Sequence, residues 1–126
     1  MVFKDENHAE QWAEAIEAAG ALQNDDTVNS YYGASLFIIT GIPGLYSRAK
    51  KHIHNNWIDF AAILDMGLSA GESILVALAG NFYNGGFFDE YTPYDIVNHC
   101  DVGMAELAAR ALWLRKQRIN CNTIFD

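Results

Sequence analysis

Positive charge is scarce in this chain. Eight Lys and Arg stand against 16 Asp and Glu, giving a formal net charge of −8. Between Asp59 and Glu106 there is no Lys or Arg at all. A negative protein is repelled by phosphate backbones, so direct nucleic-acid binding is not expected. Long apolar runs are also missing. The apolar run Leu36-Phe37-Ile38-Ile39 is far too short for a bilayer span, which needs ~20 residues. Lys4-Asp5-Glu6 opens the chain with no apolar segment behind it, so no secretory leader is expected. Cys100 and Cys121 are the only thiols. They define no disulfide framework, and a reducing cytoplasm is the simpler setting. No P-loop, dinucleotide-binding glycine motif, G-x-S-x-G or H-E-x-x-H occurs, so no catalytic residue and no cofactor is assigned.

What is present describes a folded helical protein. The chain has 126 residues, of which 51% are apolar and 13% aromatic, enough for one domain with a sizeable core. Asp5 is a good N-cap for a helix ending at Gly20, with Ala9, Trp12, Ala13 and Ile16 as its inner stripe. Asn24-Asp25-Asp26 is expected to cap a second helix from Val28 to Ile39, stopped by Gly41-Ile42-Pro43-Gly44. Its apolar second half predicts a central, buried element. The β-branched Ile38-Ile39-Thr40 leaves a strand as the alternative there. A short helix is expected over Leu45–Ile53 and another after Asp59.

Ser69 and Glu72 have capping-box spacing, and Asn84-Gly85-Gly86 closes the helix they open. Thr92-Pro93 starts the next helix and Asp101 caps the last, whose stripe is Met104, Leu107, Ala108, Ala111 and Leu114. The reading is all-α: a single-domain irregular bundle of about five to seven helices over residues 1–118, with a patternless C-terminal tail at 119–126.

Candidate chemistry is thin. His52 and His54 form an H-x-H that shares a face only on a strand. His99-Cys100 is the other pair, and His8 is isolated. None has zinc spacing, which favours solvated or helix-terminal imidazoles and no metal site. Adjacent His99 and Cys100 diverge on a helix and cannot activate each other. Asp59, Glu72, Asp95 and Asp101 are accounted for as caps. Arg110, Arg115, Lys116 and Arg118 fit a helix C-terminus, where cations suit the macrodipole.

Glu6, Glu10, Glu14 and Glu17 fall on one helix face without an interleaved lysine. Such a row serves as a solvated edge, or as a surface that docks on a basic groove normally holding nucleic acid. Asp89 and Glu90, with Asp25 and Asp26, would extend it if the fold brought them near. Phe87, Phe88, Tyr91 and Tyr94 would then offer apolar anchors.

F-K-D-E-x-H at Phe3–His8, G-I-P-x-L-Y at Gly41–Tyr46, I-D-F at Ile58–Phe60 and L-S-x-G-E…L-A-x-N-x-Y-N-G-G at Leu68–Gly86 resemble a family of small all-helical proteins of bacteria, phages and integrated mobile elements. The resemblance implies a mobile-element accessory protein and carries no catalytic residue. By analogy with other small acidic proteins of such elements, it suggests an anti-CRISPR-type inhibitor of a host nucleic-acid-binding defence protein. The expectation is therefore a non-enzymatic, cytoplasmic inhibitor acting through Glu6, Glu10, Glu14, Glu17, Asp89 and Glu90. The alternatives are a self-associating helical module, for example a homodimer, and a metal-dependent enzyme using His52 and His54.

Overall fold

A computed structural model describes residues 2–126. Among them run seven α-helices and four two-residue strands: α1 (Glu6–Ala19), β1 (Thr27–Val28), α2 (Ser30–Gly41), α3 (Leu45–Ala49), a 3₁₀ turn (Lys50–His52), β2 (Ile53–His54), β3 (Trp57–Ile58), α4 (Phe60–Leu64), α5 (Ala70–Asn84), α6 (Pro93–His99), α7 (Val102–Arg115) and β4 (Ile119–Asn120). The chain is thus mostly helical. It departs from a pure all-α reading by two small antiparallel ladders, β1 with β4 and β2 with β3.

Local signals set most helix ends. The Asp5 carboxylate accepts from the His8 amide, and Gly20 closes α1 in the left-handed region. Ser69 and Glu72 exchange both capping-box hydrogen bonds, and Gly85 ends α5 at φ 82°. Asp59, Thr92 and Asp101 start α4, α6 and α7.

The second helix begins later than expected. Asn29, not the Asn24–Asp26 turn, caps α2 at the Tyr31 amide. Val28 lies in β1, where Val28 pairs with Ile119 and Thr27 with Asn120. β-branched residues favour this extended backbone, and β4 supplies the partner. Ile38-Ile39-Thr40 is helical, and the Thr40 hydroxyl is absorbed by the Leu36 carbonyl at 2.7 Å. The expected Leu45–Ile53 helix breaks up after Ala49. Ile53 pairs with Ile58 across a turn in which Asn56 takes φ 65°. The segment read as a patternless tail contributes β4, and Ile119 is only 2% exposed.

α2 is the axle. Every residue from Gly33 to Gly41 is buried, and α1, α5 and α7 pack around it. Apolar area removed from water at ~25 cal/mol per Å² dominates such an arrangement. The Ser35 hydroxyl ties the axle to α5 through the Ala79 carbonyl at 2.7 Å. Trp12 ties it to α1, its indole N–H donating to the Gly33 carbonyl at 2.9 Å.

Candidate functional site

α1 has one buried face and one open face. Ala9, Trp12, Ala15, Ile16 and Ala19 turn inward. Glu6, Glu10, Glu14 and Glu17 are all exposed. Among the described residues only two ion pairs form, Arg110 with Glu106 at 2.5 Å and Arg118 with Asp25 at 2.6 Å. Among these residues no cation therefore forms an ion pair with the α1 row. Only Glu14 has a side-chain partner, accepting from the Tyr46 hydroxyl at 3.2 Å. Burial, then the nearby Glu14 charge, pushes the Tyr46 phenol up to about 12.

Five of the eight cations are engaged elsewhere, Arg118 by Asp25 and four by backbone carbonyls, while Lys50, Lys51 and Lys116 form no ion pair with the row. Lys4 Nζ donates to the Gly41 carbonyl at 2.6 Å, Arg48 to Met66, Arg110 to Val2, and Arg115 to Phe82 at 2.9 Å. Gly41 and Phe82 lie in the last turns of α2 and α5, where unpaired carbonyls and the macrodipole favour positive charge. The helix-end reading of the basic cluster is thus right for Arg115, although it serves α5 rather than its own helix.

Asp89 and Glu90 are exposed but stand apart. They line a cleft of about 390 Å³ with Leu64, Ser73, Ala77, Phe87 and Tyr91, over α4 and α5. No hydrogen bond or ion pair connects them with the α1 row. Asp25 is paired with Arg118 and is also an acceptor for the Thr27 hydroxyl. These bonds, Thr27 first, hold its carboxyl below the usual range.

The histidines divide. His54 lies on β2 with its ring stacked on Trp57, centroids 5.0 Å apart. His52 ends the 3₁₀ turn, and its carbonyl accepts from the Asp59 amide. Among the described residues no three His, Cys, Asp or Glu side chains gather closely enough to hold a metal ion. Burial and then Asp101 push the Cys100 thiol up, so it is protonated and a poor nucleophile.

Of the solvated or helix-terminal settings expected for the imidazoles, His8 takes the second, in the first turn of α1, but it is not solvated: it is 2% exposed. Its Nε2 lies 2.9 Å from the Phe37 carbonyl, and its Nδ1 accepts from the Lys4 amide at 3.1 Å. This pairing fixes the neutral Nε2–H tautomer. Its spacing carried the signal, since His8 stands one turn before Trp12 and two before Ile16 on the inward stripe.

A second concave site was not visible in the sequence. Tyr31, Tyr32, Trp57, Phe60, Tyr83 and Phe87 converge around a cleft of about 720 Å³, with Asn29, Asp59 and Asn84 also on its wall. The residues come from the start of α2, the β2–β3 hairpin, the start of α4, and the end of α5 with the loop that follows it. The Tyr32 and Tyr83 hydroxyls meet at 3.4 Å. Burial, then Tyr83, raises Tyr32 to about 12, so the phenol stays neutral. No family model, curated protein or solved structure matches this chain.

Proposed function

We propose that this protein is a non-enzymatic binding module whose α1 face occupies a positively charged surface of a partner protein. The observation that carries the reading is the open glutamate row: Glu6, Glu10 and Glu17 are exposed with no ion-pair partner among the described residues. Like charges one turn apart repel by a few tenths of a kcal/mol. A basic groove removes that repulsion and releases its own counter-ions, which speeds encounter at low salt. The neighbouring hairpin adds an aromatic anchor. The Asn56 amide donates to the Ala19 carbonyl at the end of α1, and the next residue, Trp57, is 52% exposed. Exposed tryptophans beside charged rims are typical contact centres.

The resemblance to proteins of phages and mobile elements makes a host defence protein that handles nucleic acid the partner class to test first. Tagged protein is incubated with nuclease-treated bacterial lysate, with Glu10→Lys/Glu14→Lys/Glu17→Lys in parallel. Captured proteins are identified by mass spectrometry and assayed for nucleic-acid binding with and without the inhibitor. The reading expects capture and inhibition by the native chain only, with both declining as salt rises. Equal capture by the reversed variant removes α1 from the interface.

A further inference from the structure

The cleft between α2, the β2–β3 hairpin, α4 and α5 has a composition that selects its ligand. Six of its eleven lining residues are aromatic. Its only formally charged lining group is the half-buried Asp59 carboxylate. One Asp59 oxygen accepts from the Ala62 amide at 3.0 Å, which leaves acceptor capacity on the group. The two tyrosine hydroxyls have only each other as partners, so one O–H and several lone pairs remain for a guest. No lysine or arginine lines the cavity. Ring faces carry negative electrostatic potential and attract cations, most strongly at Trp and Tyr. One wall residue already shows this behaviour. The Arg115 guanidinium, which does not line the cleft, lies 3.8 Å from the Tyr31 ring centroid.

An anion would meet Asp59 and a mostly aromatic wall with no lysine or arginine on it. A neutral apolar guest would leave the carboxylate and hydroxyls unpaired. We propose that this cleft is an aromatic cage for an organic cation, an alkylated ammonium or a guanidinium, with Trp57, Tyr31, Tyr32 and Tyr83 as ring walls and Asp59 as the counter-charge. The volume lies within the range of small-molecule sites. The two proposals share Trp57, but none of the α1 glutamates lines the cleft, so the charge-reversed α1 variant and the cation titration test them apart.

The test reads Trp57 by fluorescence. Trp12 is buried and Trp113 is the other exposed indole, so the experiment uses full-length protein carrying Trp113→Phe. Choline and N-acetylarginine amide are titrated at constant ionic strength, with 3,3-dimethylbutanol as the uncharged isostere of choline. The cage expects a saturable shift with at least one cation and at least tenfold weaker binding of the alcohol. Asp59→Asn retains a capping side chain and should weaken the cation several-fold without affecting the alcohol. Trp57→Ala, followed by calorimetry, should weaken the cation at least tenfold. A short arginine peptide that binds tighter than free N-acetylarginine amide assigns the cation to a protein side chain; equal binding assigns it to a free small molecule. No saturable shift with either cation, or an alcohol that binds as tightly as choline, overturns the cage.

Discussion

Protonation of His8 should be the pH-sensitive element of this fold. In the folded chain the imidazole is neutral, its Nε2–H on the Phe37 carbonyl and its Nδ1 accepting from the Lys4 amide. Burial is the main cause that lowers its pKa below 6.5. Lys4 and Arg110 push the same way, while the Phe37 hydrogen bond and Asp5 oppose them. As pH falls past about 6.5, the unfolded chain takes up a proton that the folded chain refuses. Stability is therefore lost on acidification across the window from 6.5 down to the lowered folded value. The slope there approaches ~1.4 kcal/mol per pH unit for one proton, and the accumulated loss at pH 5 is at most about 2 kcal/mol.

His8→Gln isolates the effect. A glutamine amide can still donate to Phe37 but leaves the Lys4 N–H without an acceptor, a cost of ~1–3 kcal/mol at pH 7.5. It cannot titrate. Urea unfolding of both proteins between pH 7.5 and 5 should show the gap between them closing by up to ~2 kcal/mol as pH falls, because only the native chain loses this contribution. Carboxylate titrations are common to both and cancel. Parallel stability profiles would refute the neutral-imidazole assignment.

Four further outcomes follow from packing and capping. Gly71→Ala would place a Cβ 2.7 Å from the His99 carbonyl oxygen, a backbone atom that cannot swing away. Its overpacking cost of ~1–3 kcal/mol should outweigh the gain in helix propensity and lower Tm. Gly103→Ala meets only Asp101 Oδ1 at 3.5 Å, so Tm should rise with a gain of up to ~1 kcal/mol. Ile119→Ala removes a buried side chain at the β1–β4 ladder, and chemical denaturation should report a loss of ~2–4 kcal/mol. Ser69→Ala breaks the α5 capping box; it should cost ~1 kcal/mol and speed amide exchange in the first turn.

The ends of the helices were legible because caps act within three residues. Asp5, Asp59, Ser69 and Asp101 each announce a helix by a side chain that reaches its own first turn, and at α6 the Asp95 carboxylate reaches back to accept from the Thr92 amide. The central place of α2 was legible from its apolar run, which no one-faced helix would carry. The β1–β4 ladder was not. Two-residue strands have no period to detect, and their partners lie at opposite ends of the chain. The α1 row was readable as a face, but its freedom from cations depended on where Lys4, Arg48, Arg110 and Arg115 chose their carbonyls. The aromatic cleft was hidden for the same reason as the ladder, since four separate segments must meet before it exists.

The buried axle carries a consequence for biosynthesis. α2 leaves the ribosome early, whereas α7, one of its covering helices, begins about sixty residues later. At ~5–20 residues per second that interval is ~3–12 s. During it, α2 has α1, the short α3 and the growing α5 to shelter it, but not α7. Variants that slow α5 docking should therefore show their defect first as low yield of folded protein.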